Sequence, residues 1–251
     1  MIERSNNEHA VVLALRHGKA NALDIELLSA LEESLVELTD SKRGVVLTGF
    51  DSMFCAGVDL PRLLAGDISY AERLISALNS CFQAMIEFPR PLVAAINGHA
   101  IAGGLVLACA CDYRLLSDTN AKLGLTELSV GVPFPPLALE VVREALGTPL
   151  TRKLALGARL YGPKDAKRMG LVDQLAAPEA LVQAASTIVR RWSAIPAASF
   201  RITKSHLKSE LVERWARSSK KFEAKVIASW QSEETLGAIE SFVARRIGSR
   251  D

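Results

Sequence analysis

Apolar residues recur along this chain at two spacings. Residues 9–15 (HAVVLAL) and 43–49 (RGVVLTG) are short β-branched runs bounded by glycine or basic residues, and they predict buried strands. Between them, NALDIELLSALEESLVEL sets Leu23, Leu27, Leu28, Leu31 and Leu35 three and four residues apart. That spacing predicts an amphipathic helix with Asp24 and Glu26 in its first turn, where acids suit the helix dipole. A second unit follows, with helical spacing over residues 70–88, a stop at PRP and the strand-like run PLVAAING. DYRLLS at 112–117 predicts a further strand, and residues 134–146, 149–156, 163–169 and 178–192 predict successive helices, several opened by proline. Beyond Trp192 strand signals almost vanish. The pattern divides into an α/β core over 1–192 and a helical region over 193–251, with no low-complexity linker and no repeat visible by eye.

Two stretches carry candidate chemistry. Residues 98–112, GHAIAGGLVLACACD, hold no charged side chain before Asp112, and the LVLACA run is apolar on every side, which predicts a buried helix. Gly98 and Gly103 stand five apart, as in a phosphate-binding loop, but the required Lys and Ser or Thr are missing, and no GxGxxG is present. A glycine pair before a helix lets a ligand approach unpaired N–H groups at the positive dipole end; it serves tight packing equally well. FDSMFCAGVDL, residues 50–60, makes a second strand-to-helix junction rich in small residues. Two such junctions can converge on one carbonyl oxygen and form an oxyanion hole. Glu127 is the only charged residue between Lys122 and Glu140, among Leu125, Leu128, Val130 and Val132. Desolvation there raises its pKa toward the range of a general acid or base; the alternatives are a surface-loop glutamate or a helix cap beside Thr126.

Composition narrows the class. A formal charge of +2 gives no strong field for nucleic acid. The start MIERSNNEHA lacks the apolar core of a signal peptide, and Asn97 and His99 interrupt the longest apolar stretch, so neither secretion nor a membrane span is expected. Cys55, Cys81, Cys109 and Cys111 show no CxxC spacing and read as reduced, buried thiols of a cytoplasmic protein. His9, His17, His99 and His206 lack partners at metal-ligand spacing, His99 reads as a histidine satisfied by backbone, and no GxSxG is present. Residues 201–225 carry charges of both signs and read as a solvated helical face.

NALD, FCAGVDL, PLVAAINGHAIAGGLVLACACDYRL, LGLTELSVGVP and IESFVARR together resemble the crotonase (enoyl-CoA hydratase/isomerase) superfamily, in the family order and along essentially the whole chain. The resemblance implies a spiral of ββα repeats, a C-terminal helical region used in trimer formation, and a homotrimer or dimer of trimers. It makes the Val58 and Gly103 N–H groups the oxyanion hole for an acyl-CoA thioester, with Ala56, Gly57, Val58, Asp59 and Leu60 lining the CoA groove. Arg245 matches a position where the family often places a cation near the nucleotide. Coenzyme A enters as part of the substrate, so no separate cofactor and no metal are implied. Hydratases of this family usually carry two glutamates; here the first position holds Val106 and the second Glu127. That acid pattern is similar to 3,2-enoyl-CoA isomerases, which shift a double bond with one carboxylate. A hydratase with a displaced acid, a decarboxylase, a thioesterase and a catalytically silent acyl-CoA-binding subunit are the alternatives.

Overall fold

The computed structural model describes residues 1–248. The first predicted strand forms as β2 (Val11–Leu15), antiparallel to β1 (Ile2–Asn6) and parallel to β3 (Val45–Thr48). With β5 (Leu92–Ile96), β7 (Tyr113–Ser117) and β9 (Gln174–Ala176) they make a six-stranded sheet in the order β1-β2-β3-β5-β7-β9. A smaller parallel sheet holds β4 (Met53–Cys55), β6 (His99–Ile101) and β8 (Leu123–Gly124). The chain thus passes from β3 to β4, from β5 to β6 and from β7 to β8, visiting the large sheet and then the small one on each turn. Helices follow the first two visits, so the architecture is the expected spiral of ββα units.

The inner strands β2, β3 and β5 of the large sheet are buried on both faces, which is why they read as continuous apolar runs. Val11, Leu13, Val45, Leu47, Leu92, Ala94 and Ile96 face the main core. The alternate residues Val12, Val46, Val93 and Ala95 pack instead under Leu181, Ala185 and Val189 of α7 (Leu181–Ser193). Strands β4, β6 and β8 span only two or three residues each, too few for an alternating pattern to register, and β1 is a polar edge strand. Those four were not predicted as strands, and neither was β9.

Asp24 lies just outside α1 (Ile25–Glu37) as its N-cap, accepting from the Leu27 N–H at 2.8 Å, rather than in its first turn. After β4 come α2 (Leu60–Ala65) and α3 (Tyr70–Glu87); α4 (Gly103–Ala110) follows β6 and is buried from Gly104 to Ala110. The predicted helices 134–146 and 149–156 form α5 (Pro136–Gly157), broken at Gly147 (φ 75°, ψ 156°), two residues before Pro149. The helix predicted from residue 178 opens as a 3-10 turn, Pro178–Ala180, before α7. Then α6 (Pro163–Met169) precedes β9, and α8 (Ala197–Trp230) and α9 (Glu233–Gly248) end the described chain. Among the described residues no helix is long and apolar enough to cross a membrane. All four cysteines are free and buried, as expected, and burial raises the Cys55 thiol pKa to about 12.

The basic stretch departs from a purely solvated face, most clearly at Lys204 and Arg214. Lys204 turns inward, its Nζ 2.7 Å from Asp112 Oδ2 and 3.2 Å from the Arg90 carbonyl oxygen, while Asp112 accepts from the Leu92 N–H at 2.9 Å. Arg214 bridges to Glu140 and Glu144 of α5. A lysine at helical spacing is indistinguishable in sequence from its solvated neighbours; only the acid brought over it by β7 selects it. Replacing Asp112 by Ala leaves the buried ammonium without its counter-charge and is expected to cost about 3–5 kcal/mol. Denaturant unfolding of the variant checks this.

Candidate active site

The two glycine-rich junctions meet backbone to backbone. A Cβ built on Gly104 would fall 2.1 Å from the Cys55 carbonyl oxygen, and one on Gly57, which sits at φ 85°, would fall 3.1 Å from the Gly103 nitrogen. A Cβ on Gly103 would lie 3.8 Å from the Val58 nitrogen. Only glycine at 104 permits this approach, because the group in the way is main chain rather than a side chain that can turn aside. The turn into α4 is forced further by Ala102, a non-glycine residue at φ 52° and ψ −123°, in a region that costs on the order of 1–3 kcal/mol. Its carbonyl oxygen starts the helix by accepting from Leu105 and Val106, and the Gly103 N–H, ahead of that first bond, meets no acceptor among the described residues at the positive end of α4.

Val58 is aimed by a neighbour that sequence analysis placed only at a helix start. Leu23 pairs with it as a parallel bridge, donating to the Gly57 carbonyl oxygen at 2.8 Å and accepting from the Asp59 N–H at 3.0 Å. In such a bridge the bonds of Leu23 go to the residues either side of Val58, so the Val58 N–H itself points the other way. Neither the Val58 nor the Gly103 N–H finds an acceptor among the described residues.

Both residues line a cavity of about 360 Å³, with Ala56, Asp59, Leu60, Val106 and Glu127 also in its wall. Gly57 does not line it; it is the spacer behind Val58. The far wall is apolar, built from Leu78 and Phe82 one turn apart on α3, Val130 and Val132, and Trp230, Phe242 and Val243 from the C-terminal helices. Trp230 is locked there by donating its indole N–H to the Pro133 carbonyl oxygen at 2.9 Å. That the final helices complete this wall was not legible in sequence, since their apolar residues have no local mark. Arg245 is exposed on α9, two residues beyond Val243, and does not line the cavity. His99 accepts from the Lys122 N–H at 3.1 Å through Nδ1, in keeping with a histidine satisfied by backbone.

Glu127 opens a 3-10 turn, Glu127–Val130, that ends at Gly131 in the left-handed conformation. Its Oε2 is enclosed and finds no hydrogen-bond partner among the described residues. Burial raises its pKa to about 8, against the smaller opposing pull of its own and the Thr126 N–H groups. A carboxyl with one unengaged oxygen, in an apolar chamber with two free N–H donors, is equipped to move a proton beside a carbonyl whose oxygen those donors hold.

The sequence profile of the Enoyl-CoA hydratase/isomerase family matches residues 5–247. The chain belongs to this family. It is 33% identical over 214 residues to a putative enoyl-CoA hydratase of Thermus thermophilus, covering 82% of this chain and 83% of that one. It is 29% identical over 219 residues to mitochondrial enoyl-CoA delta isomerase 1 of Homo sapiens, covering 85% and 72%. The crystal structure of human mitochondrial delta3-delta2-enoyl-CoA isomerase superposes with a TM-score of 0.92 at 25% identity, covering 100% of this chain and 99% of that chain. This enoyl-CoA hydratase/isomerase family enzyme therefore carries a crotonase fold, and an acyl-CoA substrate is consistent with that family.

The buried acid also ties stability to pH. Because the folded state holds the Glu127 proton more tightly than the unfolded chain does, its favourable contribution is complete below the ordinary value of 4.5 and is lost as pH rises through about 8. Unfolding free energy should fall over that window by on the order of a few kcal/mol, and Glu127→Gln should flatten the decline. Urea titrations of both proteins at pH 5 and pH 9 measure the difference.

Proposed function

We propose that this enzyme shifts the double bond of a 3-enoyl-CoA to give the 2-enoyl thioester. The observation that carries the reading is the inventory of carboxyl groups. Among the described residues two line the cavity, Asp59 and Glu127, and the Asp59 carboxylate already caps α2 by accepting from the Arg62 N–H at 3.0 Å. Val106, three residues after Gly103, puts an apolar side chain in the same wall. Water addition needs one group to activate water and a source for the proton delivered to C2, whereas a double-bond shift needs a single carrier. In this reading ionised Glu127 takes a proton from C2. The enolate oxygen is held by the Val58 and Gly103 N–H groups, and Glu127 returns the proton to C4. Arg245 is assigned to the CoA phosphates, and the homotrimer or dimer of trimers remains the expected assembly.

A hydratase is the second reading, favoured by the name of the Thermus thermophilus relative. Incubation with 3-enoyl-CoA and 2-enoyl-CoA in heavy water separates the two. A shifted double bond without added water supports isomerisation; a 3-hydroxyacyl product overturns it. Glu127→Gln is expected to abolish turnover while acyl-CoA binding, followed by calorimetry, stays nearly intact. Since the base must be ionised in the free enzyme, kcat/KM should rise with pH and level off above about 8. A profile flat from pH 6 to 9 contradicts Glu127 as the base.

A further inference from the structure

Behind the Val58 half of the site lies an ionic node, centred on a buried aspartate, whose members Asp24, His17 and Arg62 take no part in the wall of the cavity. Asp24, its side chain only 1% exposed, divides its two oxygens between different tasks. Oδ1 caps α1 through the Leu27 N–H at 2.8 Å. Oδ2 meets both His17 Nε2 and an Arg62 guanidinium nitrogen at 2.6 Å. Arg62 reaches on to Glu26, and its own N–H is capped by Asp59. One carboxylate thus joins the start of α1 to α2, the two segments that flank Val58 on either side.

The connection to the chemistry is short. Residue 23, directly before Asp24, brackets Val58 through the two main-chain bonds to Gly57 and Asp59. Residue 59, directly after Val58, opens the helix that carries Arg62. Upstream, Ala20 accepts from the Ala56 N–H at 3.1 Å, and the Asn21 side-chain amide donates to the Phe54 carbonyl oxygen at 3.1 Å. Residues 20–24 therefore lie along 54–59 as a backbone template, and the node closes the end of that template nearest Val58. The Gly103 N–H is fixed by α4 and by Ala102 at φ 52°; the Val58 N–H is fixed by this template, with Gly57 at φ 85° behind it and the capped start of α2 ahead.

We infer that Asp24 and Arg62, with His17 against the same carboxylate oxygen, are positioning residues that set the direction of the Val58 N–H toward the thioester oxygen. The inference rests on the oxyanion role of Val58 in the proposed function. It assigns to the node an effect on polarisation of the bound carbonyl and on kcat, rather than on affinity for the ester. A small misdirection of a donor is enough, since displacement by about 1 Å can cost on the order of 10²-fold in rate.

Asp24→Asn tests this with the helix cap preserved, because the amide oxygen still accepts from Leu27 while an NH₂ replaces the oxygen that faces Arg62 and His17. Arg62→Gln approaches from the other partner and covers the case in which Asp24→Asn fails to fold. The carbonyl stretching frequency of a saturated acyl-CoA bound to each protein is recorded by difference infrared spectroscopy, together with kcat, KM and the melting temperature. The expected result is a carbonyl band lowered on binding to the unaltered enzyme and less lowered in both variants. A fall in kcat of about tenfold should accompany it, with KM little changed. The double variant should be no worse than either single one, as for residues acting as a unit.

Bands identical in the unaltered enzyme and in the variants overturn the inference, as does a loss of activity that only follows a loss of folded protein. If the band shift is present and shrinks in the variants but no double-bond shift is catalysed, the node stands and the isomerase reading falls. An ester bound by the unaltered enzyme with no band shift overturns both.

Discussion

The approach of residues 55–58 to residues 101–104 is the contact on which the site depends. Two main chains close enough that a Cβ on Gly104 would strike the Cys55 carbonyl oxygen leave no room for side chains between them. The small sheet creates this approach, because β4 and β6 run parallel and adjacent and deliver both junctions at the same end. The second junction turns directly into α4, whose first N–H is that of Gly103, and in the first the Leu23 bridge leaves the Val58 N–H pointing away, so neither finds a carbonyl among the described residues. Backbone donors held in this way need no reorganisation when charge develops opposite them, which is the physical basis of their use for an oxyanion.

The apolar chamber acts on both halves of the chemistry through one cause. With few polar side chains in the wall, the field of the two N–H groups is weakly screened, and burial pushes Glu127 to a pKa of about 8. A raised pKa makes the carboxylate a stronger base when it is ionised, yet it also means that the empty site holds a proton near neutrality. Val106 belongs to this arrangement. An apolar side chain at that position extends the apolar lining and supplies no carboxyl from the start of α4.

The parts of the fold that were legible in sequence are those with enough residues to show a period. The β-branched runs at 11–15, 45–48 and 92–96 and the leucine spacing of α1 are repeated choices at many positions, and the structure places them as read. The strands that build the site are shorter than any period, two or three residues each, and showed only as small residues before a helix. Glu127 was visible because a lone charge among leucines and valines is conspicuous. Asp24 was also visible, but as a helix-start acid like Glu26; what separates the two is that α2 folds back over one and leaves the other near the surface. Lys204 and Arg214 were hidden for the same reason, each given a partner by a helix or strand distant in the chain.

By itself the sequence determined the alternation of strand and helix, the buried helix after the glycine pair, the isolation of Glu127 among apolar neighbours and, through its motif order, the family. These are local properties: each is written in residues adjacent in the chain or one helical turn apart. Only the tertiary structure decided which N–H groups stay free, because that depends on where every neighbouring acceptor goes. It also decided that α8 and α9 close the chamber, and that residues 20–24 serve as a template for Val58. Such pairings join segments more than thirty residues apart, and no local pattern records the partner that the fold supplies.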